Sequence, residues 1–302
     1  MPMGFFAEFD GWLTQLLSTY VSDTVAKVAG ALEPAVITFG AIYVAAWGYL
    51  QLTGEIEEPV MTGLKRIGVL AVVIGVGLRL WMYHDVLVDT FLNAPGELAA
   101  AVVGAPNPVA VVDQILLTGG DAGQALLAKG GLLDGSLTFV LAGFIVYAVV
   151  GVTALYAMFL LALSRVALSV LLALGPLFIA TLLFKSTRRW FESWMSQLTN
   201  YALISILTGL VTALLLQLVT AAASAAAAAG PAIQIADAVR VCLASGLILL
   251  VLRQVMPMAA GLSHGFALHS FGAVSRTLGW GLEQGADMLA RGRRAVTGAA
   301  AR

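Results

Sequence analysis

The chain has 302 residues, 60% hydrophobic and 11% charged, with a formal net charge of −1 and a mean hydropathy of +0.94. Soluble domains carry roughly 25% charged residues. The composition therefore excludes a water-surrounded globular enzyme and points to an all-α polytopic membrane helical bundle with five or six membrane-crossing segments. A single cysteine, Cys242, allows no intrachain disulfide.

Residues 1–35 come first. Phe5, Phe9, Trp12, Leu16 and Tyr20 recur at three- and four-residue spacings, which predicts one apolar helix face. Glu8, Asp10 and Asp23 make the segment too charged to span, so it is expected to lie at an interface or pack on a partner. The opening MPMGFFAEFD carries acids and no base, unlike a cleaved secretory signal, so insertion is expected to use the internal spans. Residues 36–83 hold the first two expected spans, 36–52 and 67–83, separated by Glu55, Glu57, Glu58, Pro59, Lys65 and Arg66. Residues 84–136 are acidic and rich in Pro and Gly, and read as a central extracytoplasmic region with short amphipathic pieces such as Val109–Leu117.

Residues 137–264 carry the remaining spans. Gly135–Ser164 is a run of 30 uncharged residues, enough at about 1.5 Å per residue to cross a core of about 30 Å. Arg165 is expected to mark a helix boundary. Residues 166–184 follow as a broken or re-entrant apolar segment around Gly175-Pro176, because Pro removes a backbone donor and Gly lets the chain bend. A basic cytoplasmic turn, 185–194, contains Lys185, Arg188, Arg189, Trp190 and Trp194. Spans near 197–219 and 239–260 come next, flanking the Ala-rich tract Ala221–Ala229 and Gly230-Pro231. Residues 265–302 form a basic tail.

Basic flanks favour the cytoplasm. That rule predicts five crossings plus the broken segment, an extracytoplasmic N-terminus and a cytoplasmic C-terminus; six full crossings with both ends inside is the alternative. Arg253 lies within the last apolar run. It reads either as a pore-lining or subunit-contact arginine or as an interfacial arginine near Pro257.

No catalytic, cofactor or metal site is expected. Gly261-Leu262-Ser263-His264-Gly265 matches G-x-S-x-G but follows a membrane helix, not a strand. Three histidines and one cysteine give no zinc spacing, and the phosphate-binding G-x-x-x-x-G-K-[ST] loop does not occur.

The stretch Leu171–Leu203 carries a pattern of its own. Gly175-Pro176 is followed by Phe184, Thr187-Arg188, Trp190-Phe191, Trp194, Gln197-Leu198 and Asn200-Tyr201. This resembles the signature region of the TrbL-type polytopic inner-membrane components of type IV secretion systems, the family that includes the sixth component of the VirB apparatus. The resemblance implies a subunit that aids translocation of DNA or protein across the Gram-negative inner membrane and contributes to pilus assembly. It implies other secretion subunits as partners (pilin, minor pilus subunit, secretion ATPases, envelope-spanning scaffold), together with membrane lipid, and homo-oligomers about the transfer axis. The family's signature tryptophan falls on Trp194, with Trp190 as the alternative. Gly175, Pro176, Arg188, Trp190, Trp194, Asn200 and Arg253 are the functional or assembly candidates. A solute transporter is the competing reading; its expected internal repeat is not evident around the Gly175-Pro176 and Gly230-Pro231 breaks.

Overall fold

A computed structural model describes residues 4–54, 67–68, 71, 73–78, 80–103, 107–130, 137–183, 187–228 and 234–263. The expectations for Lys65/Arg66, Lys185, Gly230-Pro231 and the tail 265–302 lie outside these residues, as do those for His264 and Gly265. The described residues are helical throughout, without strands.

Helix α1 spans Phe5–Leu52. A broken stretch follows: π-helical Val73–Leu78, α2 (Leu80–Tyr83), π-helical His84–Val88, α3 (Asp89–Leu92) and α4 (Ala94–Val103). Then come α5 (Pro108–Lys129), α6 (Leu137–Ala173) and α7 (Gly175–Ala180), which ends in a 3-10 turn, Thr181–Leu183. Helix α8 spans Arg188–Ala228 and α9 spans Ile235–Ser263. Helices α1, α6, α8 and α9 are each long and apolar enough to cross a membrane, so the chain is a multi-pass membrane bundle. The described part of the second expected span, 67–83, is short helical pieces.

Three boundaries differ from expectation. The break expected near residue 35 is absent: α1 runs on with Pro34 inside it. Its missing N–H leaves one carbonyl unbonded but does not end a helix supported on both sides. Arg165 is not a helix boundary either. Helix α6 passes through it to Ala173, so the separate segment 166–184 begins as α6 and breaks only at Leu174-Gly175. The reason is a partner: Arg165 Nη1 lies 2.6 Å from the Asp10 carboxylate and donates to Thr14 Oγ1 at 2.5 Å. A paired charge need not leave the bundle. Third, α5, which falls inside the expected extracytoplasmic region 84–136, is not set apart from the bundle: it buries Val109, Val112, Ile115 and Leu126 in one core with α6, α8 and α9.

Helix α5 meets α6 antiparallel through small residues. A Cβ on Gly119 would stand 2.6 Å from Val150, and one on Gly123 2.8 Å from the Tyr147 ring. Glycine there lets the backbones approach, the usual device where lipid removes the hydrophobic drive between helices.

Two cores are stacked along the bundle. The first joins α5, the early part of α6, the later part of α8 and α9. The second joins Val21, Val25 and Val36 of α1 with Tyr83, Leu168, Leu172, Ile179, Trp194 and Leu198. Helices α6 and α8 pass through both, antiparallel: Trp194 meets Leu171, while Val150 and Leu215 share the first core. Helix α1 runs parallel to α6, with Asp10 at Arg165 and Val25 in the cluster of Leu172.

That contact corrects the predicted topology in one respect. Asp10 and Arg165 touch, so they are at one height. The five-crossing scheme had placed them on opposite faces of the bilayer.

Candidate functional site

The break between α6 and α7 begins with proline chemistry. Pro176 has no N–H to offer the carbonyl four residues back, and its ring crowds that carbonyl. Leu172 therefore ends α6 with a carbonyl oxygen that needs another donor, and so does Leu171, whose helical register is lost at the break. Two aromatic side chains supply them. The Tyr83 hydroxyl donates to Leu172 O at 2.5 Å, and Trp194 Nε1 donates to Leu171 O at 2.9 Å. Both rings are fully buried. An unmet carbonyl at this depth would cost about 1–3 kcal/mol, so the two donors convert a defect into a fixed joint.

The surroundings fit closely. A Cβ on Gly175 would overlap the Tyr83 hydroxyl, so this position requires glycine for space. One on Gly77 would stand 2.7 Å from Ile179. The Trp194 ring stacks on Phe178 at 5.7 Å and 12° and tilts against Phe191 at 5.5 Å. Thr181 Oγ1 donates to Phe178 O at 2.6 Å, and Thr187 Oγ1 to Thr181 O at 2.8 Å, which ties Thr187, just before α8, to the 3-10 turn.

Of the residues singled out from sequence, the joint brings together Gly175, Pro176 and Trp194. It separates Trp194, 2% exposed, from Trp190, 58% exposed on the outer face of α8. Trp194 is a buried donor, whereas Trp190 faces outward. Arg188 pairs with Glu192 at 3.4 Å on the exposed face of the same helix, a contact worth at most about 1 kcal/mol. The Asn200 side-chain oxygen is buried with no hydrogen-bond partner among the described residues. Arg253 lies elsewhere, on α9, where it is exposed and borders a shallow hollow of about 660 Å³ with Leu250, Val251, Gln254 and Pro257. Ser263 is buried within α9 and donates to Ala260 O, which is a helical position and not a strand-to-helix elbow.

Sequence reasoning missed Tyr83, read only as the end of an apolar run, and the lock on α1. Asp113 accepts from the backbone N–H groups of Phe6 and Ala7, both at 3.0 Å, and so caps α1 from α5. Asp10, Thr14 and Arg165 hold the next turns. Among the described residues no cluster of His, Cys, Asp and Glu could hold a metal ion.

Residues 40–255, which include the whole joint, match the family described as TrbL/VirB6 plasmid conjugal transfer protein. The type IV secretion system protein VirB6 of Bartonella henselae is 25% identical over 206 residues, which cover 67% of this chain and 63% of that protein. The one from Bartonella quintana is 26% identical over the same shares. The Brucella abortus VirB6 is 26% identical over 257 residues, covering 80% of this chain and 70% of its own. The match thus spans somewhat less than two thirds of the Bartonella proteins. With most of the chain inside the matched region, this protein belongs to the TrbL/VirB6 family.

Proposed function

We propose that the chain is an inner-membrane channel or scaffold subunit of a type IV secretion system, aiding passage of DNA or protein substrates and pilus assembly. The joint at Gly175-Pro176 carries this reading. Interrupted backbone within an apolar bundle needs protein groups around it, and here the groups come from two distant elements. Such a joint holds α6, α7 and α8 in one geometry, as a scaffold needs, and it falls within the stretch shared with VirB6 proteins.

The partners in this reading are the pilin, the minor pilus subunit, the secretion ATPases and the envelope-spanning scaffold, with further copies of the chain about the transfer axis. Outward apolar faces support such contacts. Phe5, Phe9, Trp12, Leu16 and Tyr20 on α1 are exposed, as are Leu243, Leu247, Leu250 and Leu262 on α9. Helices α1, α6 and α9 run one way and α8 the other. With the basic tail in the cytoplasm, α1, α6 and α9 run toward the cytoplasm.

Transfer of a conjugative plasmid or a secreted protein, measured with Trp194→Ala and Trp81→Ala at matched protein levels, tests the reading. Trp194→Ala should impair transfer and co-purification with pilin and secretion ATPases more strongly. Equal effects would count against it, and solute uptake by the purified chain alone in proteoliposomes would favour a transporter.

A further inference from the structure

Among the described residues, two opposite charges on apolar outer faces have no ion-pair partner. Glu8 is exposed on α1 beside Phe5, Phe9 and Trp12. Arg253 is exposed on α9 among Leu250, Met256 and Met258, with no ion-pair partner among the described residues. A lone arginine facing lipid is costly, up to about 2.5–3.5 kcal/mol at the centre of a span on insertion scales, so a protein partner is the expected cover.

Internal contacts fix the heights of the two residues. Thr153 Oγ1 reaches Ser245 O, which sets α9 against α6. Helix α9 follows α8 after a short link and so runs parallel to α6. Arg253, eight residues after Ser245, is therefore level with Leu161, eight after Thr153. Asp10 at Arg165 sets α1 against the same helix, which puts Glu8 level with Leu163. The two charges differ by two residues, about 3 Å of rise. A rotation about an axis along the bundle leaves heights unchanged, so Glu8 of one copy and Arg253 of the next can meet without sliding.

Shape agrees with charge. The hollow beside Arg253, lined by Leu250, Val251, Gln254 and Pro257, is a recess on an apolar face. The aromatic stripe of α1 is a ridge whose Trp12 is 59% exposed. We propose that the α1 outer face of one copy docks on the α9 outer face of a second copy, with Glu8 against Arg253 and the aromatic stripe over the Pro257 hollow. Such a head-to-tail contact, repeated about an axis along the bundle, generates a ring where its rotation closes. It rests on the reading of the chain as a self-associating secretion subunit, and it supplies the residues of that contact.

The test uses the full chain in native membranes with Cys242→Ser as background. Glu8→Cys together with Arg253→Cys, treated with a short bis-maleimide, should give a ladder of covalent dimers and higher multimers; neither single variant should. Glu8→Arg or Arg253→Glu alone should lower self-association by about tenfold or more, since like charges then face each other, and the double reversal should recover it. A wild-type oligomer in native mass spectrometry with no ladder from the double cysteine variant overturns this contact and leaves the secretion reading intact. A monomer within the purified secretion complex overturns both. A cross-link within one copy, without a ladder, also overturns the proposal.

Discussion

Trp194 and Tyr83 each do one job, donating a hydrogen bond to a carbonyl left open at the break between α6 and α7. Trp194→Phe keeps the ring and removes the donor, so it should destabilise the bundle by about 1–3 kcal/mol. Trp194→Ala also opens a cavity and should cost about 3–5 kcal/mol. Trp190→Ala, at an exposed site, should stay within about 0.5 kcal/mol. Denaturation midpoints of the three variants in detergent check the order. Gly175→Ala should be severe because of the Tyr83 hydroxyl, and Tyr83→Phe should lessen that penalty. A double-mutant cycle should show coupling of about 0.5–3 kcal/mol; strict additivity would mean that the close approach relaxes elsewhere. The break itself was legible, because the chemistry of Gly175-Pro176 is local. Its donors were not. Tyr83 lies 89 residues from its acceptor and Trp194 23 residues from its own, and no local pattern records which carbonyl a distant ring will reach.

At the scale of the element, α1 shows how periodicity finds a helix but not its inner side. The apolar stripe of Phe5, Phe9, Trp12, Leu16 and Tyr20, expected at an interface or on a partner, is exposed on the single chain. The buried stripe is Phe6, Asp10, Leu13, Val21, Val25 and Ala29. It holds an acid because α6 offers Arg165, and a partner 155 residues away in sequence is invisible to a hydropathy pattern. For the same reason a lone arginine in an apolar run looked like a helix end. Asp10→Ala should cost about 1–3 kcal/mol, less than for a fully buried pair because Arg165 is partly exposed. Asp113→Ala should cost about 1 kcal/mol through loss of the cap on α1. Hydrogen exchange should locate both effects: amides of 5–20 exchange faster and those of 200–215 are unchanged. Faster exchange throughout would mean that these residues hold the whole bundle and not one helix.

The whole molecule is taller than one bilayer. The Asp10–Arg165 pair is a height marker shared by α1 and α6. The uncharged run of α6, up to Ser164, lies wholly on one side of it. The uncharged run of α1, from Ala35 to Leu52, begins on the other side, 25 residues beyond Asp10, or about 37 Å of helix. A hydrocarbon layer of about 30 Å cannot enclose both runs. One tier therefore lies outside the hydrocarbon layer and a protein partner is its expected cover, which is why a segment-by-segment count of spans describes the chain poorly. Spin labels at Ile42 and Phe144, both exposed in the single chain, should behave differently in the assembled complex. One should be relaxed by a lipid-soluble agent and the other shielded from it. Lipid contact at both would refute the two-tier arrangement.

The joint at Gly175-Pro176 also sets an order of events during synthesis. Tyr83 leaves the ribosome well before Leu172, so that donor is waiting when its carbonyl appears. Trp194 emerges 23 residues after Leu171. In that interval the nascent chain carries one satisfied carbonyl and one exposed, and the bend between α6 and α7 is held by a single donor. The geometry of the break becomes permanent only when the start of α8 arrives, so a ribosome paused between these two positions would hold the subunit with its joint still open.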